Sequence, residues 1–287
     1  LNACKDPVEL KNMTVEIAAA WLACGLDPNK TLFYRQSDVP ETFELLTILM
    51  AFTAKGLMNR AHAYKAIVQN NLENGKDPDD GVNMGLYTYP ILMAADILLF
   101  DTDFVPVGTD QFQHIEMAQD IAQSFNYVYK TQALKIPQPI AQEETKTVVG
   151  LDGRKMSKSY NNTIPMFCPE KELKKLIMSI VTNSQTVEEP KDPDTSNIFA
   201  LYKNFASPEQ IENMHTRYLK GGLGWGQAKL ELFEVINAEL TPLRERYNYW
   251  INNQDDIWNA LKAGSEKARI LAAEKITKLR KIIGIGK

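Results

Sequence analysis

The stretch FVPVGTDQFQH, Phe104–His114, decides how this chain is expected to fold. Phe104–Val107 is a short β-prone run that ends at Gly108, and helix-forming residues start directly after it. A glycine at that junction lets the backbone approach another group closely. The start of the following helix offers unpaired N–H groups and a positive dipole end to anions. Strand, glycine and helix in that order form the repeating unit of a parallel α/β sheet of the dinucleotide-binding type.

The pattern continues outward in both directions. Upstream, Asp6–Cys24 has helical periodicity, with Pro7 in the first turn and Gly25 as a stop. Thr31–Arg35 is a short β-prone run. Helices are expected over Glu41–Phe52 and Leu57–Asn70, around a turn at Gly56, and over about Asn83–Leu99 after a polar loop, Glu73–Gly81. Downstream of about Glu170 the strand signals vanish. Glu170–Val181, Thr195–Phe205, Pro208–Tyr218, Trp225–Trp250, Asp255–Lys262 and Ser265–Ile283 all read as helices. The proline- and acid-rich link EEPKDPD, Glu188–Asp194, marks a region of domain change. The expected fold is therefore α/β over residues 1–165, followed by an all-helical domain over 166–287.

Composition narrows the class. The 287 residues are 44% hydrophobic and 24% charged, ordinary for a soluble globular protein. The longest apolar run, Tyr89–Phe100, is interrupted by Asp96 and is too short to span a bilayer. No basic-then-apolar leader opens the sequence, and three cysteines without CxxC spacing argue against disulfides or structural zinc. A reducing cytoplasm is the expected compartment. With a net charge of −4, any RNA contact has to come from local basic patches.

Two further stretches carry chemistry. GLDGRKMSKSYNNTI, Gly150–Ile164, places Lys155 and Lys158 three apart in a loop with glycines and serines. Their ammonium groups can follow charge developing on a leaving pyrophosphate, with Ser157, Ser159 and backbone N–H groups as further donors. A generic KxxK is usually a solvated basic loop; the full string is far more specific. In MGLYTYPILMAADILLF, Met84–Phe100, the residues Tyr89, Met93 and Asp96 share one helical face. An aspartate in such an apolar run is costly unless its charge is satisfied, by an internal partner or by a ligand. In the opening motif, Asp110 stands where a carboxylate can accept a ribose hydroxyl, and Gln111 where an amide can bond an amino acid's backbone groups.

RKMSKS, Arg154–Ser159, resembles the second signature of class I aminoacyl-tRNA synthetases, and GTDQ at Gly108–Gln111 resembles the GxDQ element of their tryptophanyl and tyrosyl branch. YPILMAADILL is similar, nearly residue for residue, to the pocket helix of bacterial tryptophanyl-tRNA synthetases, where the tyrosyl enzymes carry Gln in place of Met93. FYRQSDVPE, LMNRAHAYKA, EEPKDPDTSNIFALY and GWGQAK extend the likeness along most of the chain.

The resemblance implies a Rossmann-like catalytic domain ending in the KMSKS loop, then a helical anticodon-binding domain. It implies activation of L-tryptophan by ATP with Mg²⁺, transfer to tRNA(Trp), and a homodimer. Tyr89, Met93, Asp96, Val105, Val107 and Gln111 are the implied tryptophan pocket, with Asp96 accepting the indole N–H and Met93 packing on the ring. Gly108, Thr109, Asp110, Val148, Lys155, Met156, Ser157, Lys158 and Ser159 are the implied ATP contacts, with Lys155 and Lys158 catalytic and no protein metal ligand. Arg60 and Lys65 are candidates for tRNA or the active site against a solvated-face reading. So is the segment Lys262–Lys287, with eight basic residues against two acidic.

The HIGH-like first signature of the class is not found, and the opening LNACKDPVEL resembles the region after the family's second strand. His62, His114 and His215 do not stand in for it. Two alternatives follow: a tyrosyl-tRNA synthetase, or a non-catalytic tRNA-binding or dimerisation fragment.

Overall fold

The computed structural model describes residues 4–140 and 148–286, excluding the side chain of Thr109. The chain divides into two compact units: the described parts of Leu1–Thr14, Asp27–Thr145 and Asp255–Lys287 form the first, and Val15–Leu26 with Lys146–Gln254 the second. The compact units follow a different line from the expected division at 165/166, because the C-terminal helix is packed into the first unit.

In that first unit, strand β1 (Phe104–Pro106) pairs in parallel with β2 (Gln138–Ile140), in the register Phe104↔Gln138 to Pro106↔Ile140. The expected parallel pairing is present, and Val107 N–H extends it by donating to Ile140 C=O at 3.1 Å. Helices α2 (Glu41–Met50), α5 (Met84–Leu98) and α6 (Phe112–Val128) build the core around the sheet. Leu45, Leu49, Ala94, Ile115, Ile121 and Phe125 are fully buried in it. Asn83 caps α5 by accepting from Leu86 N–H at 3.0 Å.

Three expectations are corrected here. Thr31–Arg35 forms no strand; it runs without regular structure into a 3₁₀ turn at Gln36–Asp38. The expected helix Leu57–Asn70 is two helices, α3 (Lys55–Met58) and α4 (His62–Glu73). The break is held by the Gln113 amide, which donates to Arg60 C=O at 3.0 Å and accepts from His62 N–H at 2.9 Å. Those bonds substitute for the helical ladder across Asn59–Ala61. Asp255–Lys262 and Ser265–Ile283 are one continuous helix, α11 (Gln254–Ile283). Gly264, between the two expected helices, sits inside it. A Cβ there would lie 1.9 Å from Phe33 O, so the glycine serves close packing against Phe33.

The second unit is helical: α7 (Glu170–Met178), α8 (Asn197–Tyr202), α9 (Pro208–Lys220) and α10 (Trp225–Asn252). Helix α10 packs on α7 and α8, burying Leu173, Ile177, Ile198, Leu232 and Ile236. A capping box of Ser207 and Gln210, with Pro208 in the first turn, starts α9. Helix α1 (Pro7–Ala23) matches its expected span closely.

Candidate active site

The pocket helix α5 presents Tyr89, Met93 and Asp96 in a graded series. Tyr89 is exposed and meets the His114 ring edge-to-face at 5.9 Å. Met93 is half-buried against the core. Asp96 is half-buried, and burial pushes its carboxyl up from the usual carboxylate range while a hydrogen bond from Gln36 works the other way. Gln36 Nε2 donates to Asp96 Oδ2 at 2.7 Å. Oδ1 takes no hydrogen bond from the described residues. Thus the aspartate in the apolar run is half-satisfied from within, with one oxygen to spare. Beside it, Tyr34 is pushed up to about 12, by burial first and by the charge of Asp96 second.

Val105 and Val107 are half-buried against the same core. Past β1 the chain makes a single 3₁₀ turn, Thr109–Gln111, before α6 begins at Phe112. The helix therefore starts one turn later than expected. The turn is closed by Gln111 N–H donating to Gly108 C=O at 2.9 Å. A Cβ on Gly108 would lie 2.6 Å from Asp110 Oδ1, so the turn has no room for a side chain there unless Asp110 swings away. Gln111 Nε2 donates to Asp110 Oδ2 at 3.0 Å, joining the two expected ligands. His114 lies one turn further on, its pKa lowered by burial and then by His62, with Nδ1 buried and unpartnered among the described residues.

The second unit holds the KMSKS loop. Val149 and Lys155 form an isolated antiparallel bridge; Gly150 N–H donates to Arg154 C=O at 2.7 Å and Met156 N–H to Val148 C=O at 2.8 Å. The brace is Asn162, 2% exposed. Its amide accepts from Ser157 N–H at 2.8 Å and donates to Asp152 Oδ1 at 2.7 Å and Lys155 C=O at 3.1 Å. A Cβ on Gly150 would lie 2.3 Å from the Asn162 amide, which accounts for the glycine. Asp152 also binds Arg154, Nε at 2.7 Å, and these bonds, with that from Asn162 the largest, hold its carboxyl down at about 2. The Arg154 guanidinium covers the Tyr160 ring at 4.4 Å. Ser157 and Ser159 share a hydroxyl bond of 2.7 Å, while Lys155 and Lys158 are exposed and make no ion pair among the described residues. The loop's frame is thus tied down and its two cations are left open to solvent.

Sequence reasoning missed Gln36, Tyr34 and Asn162. FYRQSDVPE and YNNTI contain them, but only as scaffold text. Arg60 and Lys65 are both exposed. In Lys262–Lys287, Lys275 is buried, paired with Asp101 and donating to Ala133 C=O at 2.6 Å; Arg269 pairs with Glu41 at 3.3 Å and Arg280 with Glu44 at 2.5 Å. Three of the eight basic side chains are therefore engaged within the fold, and Lys287 lies outside the described residues. Lys262, Lys267, Lys278 and Lys281 remain exposed.

Residues 4–241 match the family of tRNA synthetases class I (W and Y). The chain belongs to that family. Among its relatives, a tryptophan–tRNA ligase of Pseudomonas aeruginosa is 51% identical over 99% of this chain and 64% of its own length. One from Neisseria meningitidis serogroup A is 52% identical over 98% of this chain and 84% of its own length. The chain thus spans about two thirds of the first of these curated relatives. A solved tryptophanyl-tRNA synthetase of Campylobacter jejuni, complexed with ADP and tryptophan, superposes with a TM-score of 0.88 at 44% identity, over 98% of this chain and 85% of the other.

As a member of that family the chain has its Rossmann-like architecture, with helices around a small parallel sheet and a helical part following in sequence. Among the described residues, no helix is long and apolar enough to cross a membrane.

Proposed function

We propose that this chain acts as a tryptophan–tRNA ligase, activating L-tryptophan with ATP and transferring it to tRNA(Trp). The observation that carries the reading is Asp96, a half-buried carboxylate on α5 with one oxygen held by Gln36 and one open. An open acceptor in an apolar setting suits a ring N–H. A phenylalanine side chain would leave it unpaired, and sites built on a substrate hydrogen bond reject analogues lacking it by roughly 10⁴–10⁵. The half-buried Met93 beside it offers a polarizable surface to an indole.

In the reaction, the tryptophan carboxylate attacks the α-phosphorus of ATP and pyrophosphate leaves, giving tryptophanyl-adenylate. The ribose hydroxyl at the 3′ end of tRNA then attacks the activated carbonyl and AMP leaves. No general base is assigned to the first step, because the carboxylate is already ionised at neutral pH. Catalysis is orientation plus electrostatic stabilisation. Gln111 binds the amino acid's backbone groups, and Tyr89, Val105 and Val107 line its pocket. Gly108, Thr109 and Asp110 receive the nucleotide, with Asp110 accepting from the ribose. The backbone near Val148–Gly150 approaches the adenine, and Met156 is a further ATP contact. Lys155 and Lys158, with Ser157 and Ser159, take the phosphate oxygens as charge shifts onto pyrophosphate.

Among the described residues no group of three or more His, Cys, Asp or Glu side chains is arranged to hold a metal ion. The family relationship supports Mg²⁺ entering with ATP as part of the substrate, held mainly by its phosphates. The relationship also supports a homodimer in the cytoplasm, which sedimentation would register as twice the 32.4 kDa chain.

The deciding experiment compares tryptophan- and tyrosine-dependent ATP–pyrophosphate exchange. Exchange with tryptophan alone is expected, and exchange with tyrosine alone would refute the reading. Binding of tRNA with no exchange at all would support the non-catalytic alternative.

A further inference from the structure

Gln36 reaches Asp96 from sixty residues away in sequence, off a segment that is fastened at several points. Arg35 grips Asp38 through Nε at 3.0 Å and a second nitrogen at 2.8 Å, and its guanidinium lies 5.0 Å from the Trp258 ring centroid. Ser265 Oγ donates to Asp38 Oδ2 at 3.3 Å, the Phe33 backbone is packed on Gly264, and Val39 is fully buried. The amide is therefore delivered to the carboxylate by a rigid turn. A surface glutamine would wander among rotamers; this one has a fixed base.

We propose that Gln36 is a positioning residue for tryptophan recognition: by holding Oδ2 of Asp96 it fixes the carboxylate plane and presents Oδ1 to the indole N–H. This rests on the function proposed above. The terminal torsion of an aspartate is broad, so an unpinned carboxylate swings through many orientations. One bond to a fixed donor removes most of that freedom and leaves the other oxygen open to accept. Because an ionised Asp96 only accepts, the Nε2 end of the amide must face it.

The same bond favours the charged form of Asp96, against the burial that disfavours it. Tyr34, the other titratable group facing Asp96, has its phenol held neutral by burial. A protonated Asp96 would meet the indole N–H with a hydroxyl, so losing the Gln36 donor weakens recognition twice, in geometry and in charge.

The test uses the whole chain with Gln36→Leu and the near-isosteric Gln36→Glu. A hydrogen bond to a charged group supports an expected rise of roughly 10- to 100-fold in the KM for tryptophan in Gln36→Leu, with the KM for ATP unchanged. As pH falls, that KM should climb as Asp96, whose carboxyl burial already pushes up and which has lost the Gln36 donor, takes up its proton. In Gln36→Glu the trend should reverse, because a proton shared by the two carboxyls restores the donor as pH falls. A merely structural glutamine would not produce opposite slopes.

A tryptophan KM unchanged in both variants, or parallel slopes, overturns the role of Gln36 while leaving the functional reading intact. Absence of tryptophan-dependent exchange in the unchanged protein overturns the reading, and this inference with it. Should Gln36→Leu fold poorly, ¹³C carboxyl titration of Asp96 in Gln36→Glu reads the same contact without substrate: a curve identical to that of the unchanged protein also overturns it.

Discussion

Gly264→Ala separates helix propensity from packing, because the two demand opposite signs. Inside a helix, alanine is favoured over glycine by about 0.8–1.0 kcal/mol. At this position the added Cβ would lie 1.9 Å from the Phe33 carbonyl oxygen and 2.7 Å from its carbonyl carbon. Restoring ordinary contact requires a retreat of roughly 1.5 Å by backbone on one side or the other. The obstacle is a main-chain carbonyl, which no rotamer change relieves, so the penalty falls at the upper end of the ~1–3 kcal/mol typical of overpacking. The net expectation is destabilisation by about 2 kcal/mol, or roughly 1 M lower in urea midpoint for a slope near 2 kcal/mol/M. Gly226, exposed on α10 with nothing within 4 Å of an added Cβ, is the control. There alanine should raise stability by at most about 1 kcal/mol, or the midpoint by at most roughly 0.5 M. Urea unfolding followed by far-ultraviolet circular dichroism measures both. If Gly264→Ala also raises the midpoint, the close approach to Phe33 is not a constraint and the packing argument is wrong.

Lys158→Ala in the proposed enzyme should lower the rate of tryptophan activation by orders of magnitude with tryptophan affinity largely kept; a near-normal single-turnover rate would take it out of the phosphate clamp. Asp96→Asn should damage discrimination for tryptophan more than ATP binding, read from competing exchange assays, and unchanged specificity would remove the indole contact. Lys275→Met keeps the buried stem but strips the donor from Ala133 C=O and Asp101; a loss of about 1.5–3 kcal/mol is expected in urea unfolding, and a loss below about 0.5 kcal/mol would show the buried charge to be idle. Asp152 has its folded pKa depressed from 3.8 to about 2, so its contribution is fully present above 3.8 and fades as pH falls through about 2. Amide signals of Ser157 and Asn162 should therefore hold steady down to about pH 4 and shift below it, and a shift centred nearer pH 6 would assign the bracing to another group.

Much of this was legible in the sequence where one local rule dominated. The parallel strand, the start of α5 near Asn83 and the start of α9 at Pro208 each follow from a few adjacent residues. The misread elements depend on partners far along the chain. Thr31–Arg35 has strand composition but lies where its backbone serves Gly264, and Leu57–Asn70 keeps helical periodicity across a break that only the distant Gln113 amide stabilises. The site divides in the same way. Asp96, Lys155 and Lys158 stand in recognisable strings, whereas Gln36 and Asn162 act through contacts that no spacing rule encodes.

The inward pairing of α11 alters what its basic residues contribute at a distance. A lysine beside a carboxylate is, to an approaching polyanion, a small dipole, and a dipole's field decays faster than that of a lone charge. With Lys275, Arg269 and Arg280 so compensated, Lys262, Lys267, Lys278 and Lys281 are the basic residues of the helix that make no ion pair among the described residues. Each backbone phosphate neutralised by such a cation releases about 0.7–0.9 of a counterion. Four cations therefore cap this helix's share of any salt-dependent RNA affinity at a slope of about −3 to −4 in log–log form, well below what the eight basic residues of Lys262–Lys287 suggest.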